Sequence, residues 1–372
     1  MSSTLRTPRF RVTLNGQPLD GVKSVWVSLP FGYRVGQFQI CKAFVPNDPF
    51  GPSWWAATAN QTMLVAIELS ADGVSFQQVI SGNVDSQEYD PIANEINAMG
   101  RDLAASLCDT RILGTYRNQT ASEIVETFAA AHGLQADITA TSALVGRYYG
   151  NDYDAIVSGN FAKATSEWDL LCRLGSIEGV VPYVAGKTLY FNPPPNSPLV
   201  FPIQFSSNPA GALVANVTDL RLERHMDLAC DVAVTVRSWH SRSKRTFTAT
   251  VRSQAERFGV SGGIPVTRYL VVIPNLTQAQ CLAKAQQLAL EYARHERNII
   301  ALFPSLGLLT PQTVISLSGT GSDYDMTYLP QSVRYSVSFE GGAQTEIFAK
   351  SLSNMDLIDD DTGESITQIA AP

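Results

Sequence analysis

Four histidines, five cysteines and a few closely spaced carboxylates are the residues with which this 372-residue chain could hold a metal, move protons or attack a substrate. His132, His225, His240 and His295 stand far apart, none in an HExxH helix or paired with cysteine at zinc-ligand spacing. The cysteines run from Cys41 to Cys281 without a CxxC pair. They read as reduced, small core residues, as in a protein that folds in a cytoplasm. The stretch 259–263, GVSGG, matches the GxSxG pattern of a serine nucleophile, but that elbow needs a helix after it. The IPVTRYLVVI that follows is strand-like, so a turn is expected. Gly319 and Gly321 lack the third glycine and the helix of a dinucleotide site, and no GxxxxGK[ST] phosphate loop occurs. Glu88 with Asp90, and Asp152 with Asp154, are close enough to share acid–base work on one face, yet their flanks suggest solvated loop charges. The expectation is a non-enzyme with no catalytic residue, no cofactor and no metal site.

Without a reactive centre, the work of the chain falls to its surfaces, and composition limits which surfaces these are. Apolar residues make up 45% and charged residues 16%, ordinary for a globular protein, and the length suggests two or three domains. A net charge of −7 removes the footprint of a nucleic-acid reader, since phosphate neutralisation needs clustered lysine and arginine. The one basic run, RSWHSRSKR at 237–245, reads as a solvated hairpin loop. No apolar window reaches the roughly 18 residues needed to cross a bilayer, and the first residues lack a secretory signal pattern.

The elements follow from periodicity. Residues 1–98 read as a β domain of about six strands, a sandwich or small barrel, because Phe10, Val12, Leu14, then Val25, Val27, Leu29, then Phe38, Ile40 alternate with polar positions. Asn15-Gly16 signals a hairpin turn. The loop 46–60 carries Trp54 and Trp55, read as aromatic surface that covers another element or meets a partner. Residues 99–198 read as an α+β domain. Thr120 with Glu123 forms a capping box for a helix that Gly133 stops, and Ser166 with Asp169 caps a second one, followed by a YVAGKTLYF hairpin. Prolines at 193–195 mark the next boundary. Residues 199–353 are a second β region, with a 231–237/246–252 hairpin and one helix at 277–297 capped by Thr277 and Gln280. The acidic tail 354–372 is expected to be loosely ordered or to cross onto a neighbour. The interface candidates are Trp54, Trp55, Tyr148, Tyr149 and Trp239.

The order of GRDLAASLCDTRI, NQTASEIVETFAAAHGL, a polar gap and SEWDLLCRLGSIEGVVPYVAGKTLYFNPP resembles the late control protein D family of phage tails. These are baseplate hub proteins of contractile-tailed phages, similar also to the N-terminal part of the VgrG proteins of secretion systems. The matching features are GRD at 100–102, the Thr120-capped helix ending in Gly133, WDLLCRL at 168–174 before a glycine and a hairpin, and the helix TQAQCLAKAQQLALEYARHE. The resemblance spans about residues 5–350. It implies a mainly β chain in which two tail-tube-like β-barrels, 1–98 and 199–353, flank the α+β middle domain. It further implies a homotrimeric ring whose channel adapts a six-fold tail tube to a three-fold spike or tip and lets DNA pass. The implied partners are a tail tube or distal tail protein, a central spike protein and other baseplate proteins. The implied location is the virion, after synthesis in the host cytoplasm. A channel wall that is neutral or acidic would not hold phosphates. The competing readings are a tail-associated cell-wall hydrolase and a carbohydrate-binding adhesion module.

Overall fold

Alternating side chains build the first core. Val12 and Leu14, Val25 and Val27, Phe38 and Ile40, and Val65, Ile67 and Leu69 are all buried, while the residues between them face outward. The computed structural model describes residues 8–57, 62–112, 115–142, 144–145, 147–149, 153–156, 165–193, 199–207, 213–226, 231–241, 243–254, 266–304, 309, 313–352, 356–359 and 365–366. Six antiparallel strands lie side by side in the order Val22–Pro30, Gln37–Ala43, Glu95–Asp102, Gln77–Asp90, Leu64–Ser70 and Arg9–Leu14. Asn15 and Gly16 both take positive φ, 50° and 80°, and turn the chain from Thr13–Leu14 back onto Gln17–Pro18. The loop 46–60 contains a short helix, α1 (Pro52–Ala57).

The two ends of the chain share one sheet and one core. The strand Thr327–Ser338 pairs with Val314–Ser318 through Tyr328 and Thr327, and then with Val22–Pro30 from Ser332 to Ser338. Between those stretches its register against Gly342–Ser351 on the other edge shifts at Pro330/Ser332, beside a proline that has no amide hydrogen to give a ladder. That bulge lets one strand belong to two neighbouring sets. Beyond it run Gly342–Ser351, Arg297–Phe303 and Asp219–Arg224, while Val200–Ser207 pairs in parallel with Val314–Ser318. Ile203, Ile299, Leu317, Tyr335 and Ile347 join Val12, Val27 and Ile67 in a continuous core.

The middle of the chain holds α2 (Ala105–Asp109), α3 (Ala121–Ala131) and α4 (Glu167–Glu178). Both expected capping boxes are present, Thr120 with Glu123 on α3 and Ser166 with Asp169 on α4. Gly133 and Gly179 take left-handed φ of 65° and 76° just past the helix ends. The hairpin Tyr183–Ala185/Thr188–Phe191 receives Gln135–Ile138 as a parallel third strand, and Phe128, Trp168, Leu171, Leu189 and Phe191 form its core.

A separate layer carries α5 (Gln278–Ala293), capped by Thr277 and Gln280. This helix stops short of the expected 297 because Arg297 already opens the strand Arg297–Phe303. Its Cys281, Ala285, Leu288 and Ala289 pack on Val234, Val236 and Val251 of the hairpin Asp231–His240/Arg245–Gln254. Val266–Val272 joins that hairpin in parallel. In the tail, Asp356–Asp359 pairs with Val251–Gln254 of its own chain and with Ser365–Ile366. Those tail residues are strands, not a loose segment. The chain is thus mainly β with an α+β middle, and region 199–353 divides its strands between the shared sheet and this second layer.

Candidate functional site

The residues with chemical potential are held apart by structural partners. His132 closes α3 and its Nε2 lies 2.6 Å from the Glu167 carboxylate, tying α3 to the first residue of α4. His225 bonds the Asn298 amide, His240 bonds Ser243, and His295 faces the Lys350 amine. Burial and the Lys350 charge both push His295 below the usual histidine range. Among the described residues no group of histidine, cysteine and carboxylate side chains could hold a metal ion. Cys108 and Cys172 are half-buried thiols that burial pushes up, Cys108 to about 11 and Cys172 to about 12, the inert side of thiol chemistry.

Of the two carboxylate pairs, Glu88 and Asp90 are exposed near the end of one strand. Asp90 accepts from the amides of Ile92 and Ala93 and so fixes a turn, with Glu88 exposed on the strand before it. Asp154 lies on the strand Tyr153–Ile156, while Asp152 and the GVSGG stretch lie outside the described residues. Gly319 and Gly321 belong to a turn organised by Asp325, which accepts from the amides of Thr320 and Gly321.

The interface candidates separate sharply. Trp55 is only 2% exposed and its indole Nε1 donates to the Phe50 carbonyl at 3.0 Å, so it belongs to the core and not to an outer surface. The cause is α1, whose turn carries one indole inward and leaves Trp54 half-buried, edge-on to Phe50 and Trp55. Trp239, 54% exposed, stands on the outer face of the hairpin Asp231–His240/Arg245–Gln254. Tyr148 and Tyr149 are on the strand Arg147–Tyr149, and their side chains lie outside the described residues.

Sequence reasoning missed the junction where the three parts meet. A cavity of about 170 Å³ is lined by Phe31, Arg34, Asp102, Trp168, Tyr183 and Tyr335. Asp102, the acid of the GRD stretch, accepts from Gly36 N at 2.7 Å and from Ala104 N at 2.9 Å. Burial pushes its carboxyl up to about 7 against those two bonds. Trp168 of α4 donates to the Tyr33 carbonyl at 3.0 Å, so the loop 31–36 is held from both sides. On the other flank Lys284 of α5 donates to the carbonyl and hydroxyl of Ser176 near the end of α4. Burial pushes this amine down to about 8. These contacts clamp the middle domain between both β layers.

The fold can be placed among solved structures. A tail protein from Neisseria meningitidis MC58 superposes with a TM-score of 0.64 at 14% identity, covering 93% of this chain and 97% of that one. A tail protein of prophage MuSo2 from Shewanella oneidensis gives 0.63 at 16% identity, covering 94% and 100%. A type VI secretion component from E. coli, described as similar to the T4 bacteriophage tail proteins gp27 and gp5, gives 0.56 at 12% identity, covering 92% and 77%. No protein-family model matches the sequence, and no curated protein matches it. The chain therefore has the fold of phage tail proteins along nearly its whole length.

Proposed function

We propose that the chain is a structural subunit of a phage-type tail, the baseplate hub, of the late control protein D kind. In this reading three copies form a ring whose channel joins a tail tube or distal tail protein to a central spike, with other baseplate proteins outside. The observation that carries the reading is the single sheet that joins the two ends of the chain at Val22–Pro30/Thr327–Ser338. Each copy then offers two β sets side by side, which is how three chains can present six-fold symmetry to a tube and three-fold symmetry to a spike. The likeness to tail proteins over 93–94% of the chain supports it. The chain acts without catalysis in this account, and DNA passes the channel along a neutral or acidic wall, in keeping with the net charge of −7. The protein is a component of the virion, made in the host cytoplasm.

Sedimentation of the purified protein, alone and with its tube and spike neighbours, tests the assembly. A species of three chains is expected, against a protein that stays monomeric in every mixture. Incubation with peptidoglycan tests the absence of catalysis, and release of soluble fragments would contradict it.

A further inference from the structure

We propose that successive copies of this chain join head to tail through two patches of opposite charge, the acidic one at one end of the first β unit and the basic one on the hairpin layer. The proposal rests on the assembly reading above and adds the surfaces that make the ring.

The acidic patch is one continuous surface. The Phe44 amide donates to the Asn94 carbonyl at 3.1 Å, and the Phe44 and Tyr89 rings meet edge-on at 5.7 Å, which joins the loop after Gln37–Ala43 to the 91–94 turn. The Phe339 amide donates to the Lys23 carbonyl at 3.3 Å, and Lys23 is bound to Glu95, opposite Asp90. The 339–341 turn therefore sits beside the others. Ile92 is 97% exposed and Phe339 81%, with Tyr89 and Val45 also exposed. Asp90 and Glu340 lie beside the Lys23–Glu95 pair, Glu88 is exposed two residues before Asp90 on the same strand face, and Lys23 already has its counter-ion in Glu95. An apolar patch of this kind on a folded chain marks an interaction site.

The basic patch has the matching character. Trp239, Leu270 and Val272 are exposed, and Arg237 lies opposite Val272 across the parallel pair. Lys244 and Arg245 follow at the hairpin end. Among the described residues none of Arg237, Lys244 and Arg245 sits in an ion pair. Tryptophan and arginine side by side are the residues that most often dominate a binding surface.

Charge decides the geometry. Pairing a patch with its own copy sets like charges face to face and is disfavoured. Pairing the acidic patch of one copy with the basic patch of the next joins opposite charges, and a contact between two different patches closes into a ring when its rotation allows. The occupant of each patch is therefore a second copy of this chain.

Charge reversal and rescue test this. Glu88→Lys with Glu340→Lys reverses the acidic patch and spares Asp90, whose turn bonds are structural. Arg237→Glu with Arg245→Glu reverses the basic one. Each pair of changes is expected to weaken assembly at least about a hundredfold in sedimentation, at about tenfold per reversed contact. Thermal unfolding by circular dichroism is expected to match the parent. An equimolar mixture of the two variants is expected to regain pairwise association, because each variant's patches complement the other's, and to fall short of the parent ring, because a ring of three mixed copies keeps two acid–base contacts and must contain one acid–acid or base–base contact. The chain carrying all four reversals restores both complementary patches and is expected to assemble as the parent does. A parent that assembles unaffected by either reversal overturns the patches while leaving the ring reading intact. A parent that never assembles overturns both. Binding of a duplex DNA probe lost in Arg237→Glu/Arg245→Glu, with assembly unchanged, assigns the basic patch to nucleic acid and overturns the proposal.

Discussion

Trp55→Ala separates a buried tryptophan from the exposed one that reads alike in sequence. The Trp55 indole is enclosed by the first core and bonded to the Phe50 carbonyl. A tryptophan buries about 150–250 Å², worth about 4–6 kcal/mol at about 25 cal/mol per Å². Alanine retains part of that, and the lost hydrogen bond adds about 1 kcal/mol. Collapse of the short helix α1 into the space offsets some of the loss, leaving about 3–5 kcal/mol, as found for such truncations elsewhere. Urea unfolding followed by circular dichroism reads the shift in midpoint. Trp239→Ala in the same assay is expected to change stability by less than about 0.5 kcal/mol, since its side chain is largely in solvent, and to weaken assembly instead. A Trp55→Ala loss under about 1 kcal/mol, or a Trp239→Ala loss as large as that expected for Trp55→Ala, refutes the assignment of the two side chains.

Three further expectations follow from named contacts. A β-carbon at Gly100 would strike the Asn83 carbonyl and the Phe38 ring, so Gly100→Ala is expected to lower stability by about 2–4 kcal/mol in urea unfolding, while Met99→Ala beside it is nearly silent. Lys42 and Asp48 form a fully buried ion pair, and Asp48→Ala leaves the ammonium unpaired, at a cost of about 3–5 kcal/mol read as a fall in the thermal midpoint. Lys284 is depressed to about 8 in the fold against about 10.4 when unfolded, so between those values the unfolded chain holds more protons. Stability is then expected to rise as pH rises from about 8 to about 10, and Lys284→Met is expected to remove that slope in calorimetric scans across the range.

Local signals were legible in the sequence and long-range pairings were not. The three capping boxes close within four residues, so Thr120, Ser166 and Thr277 announce their helices wherever the rest of the chain goes. The hairpin around 237–245 is similarly local, but the run read as its loop is mostly strand, since Arg237–His240 pair with Arg245–Thr248 and only the residues between His240 and Arg245 make the turn. The switch of Thr327–Ser338 from Val314–Ser318 to Val22–Pro30 joins residues some three hundred positions apart, which no periodicity encodes. Pro330 was the available sign, because it stands inside an otherwise alternating strand. Parallel pairing of Val266–Val272 with Asp231–His240 was equally hidden, and so was the addition of Asp356–Asp359 to Val251–Gln254. Of the surface candidates, Trp239 is exposed, whereas Trp55 is buried because a helical turn of about 100° per residue sends adjacent side chains to different faces.

Electron-microscope class averages of the assembled protein test the central claim most directly. The account predicts a closed ring of three copies with an open axial channel, its projection near six-fold at one end where the paired β sets of each copy meet. Averages showing isolated single chains, or a closed particle without a channel, contradict it.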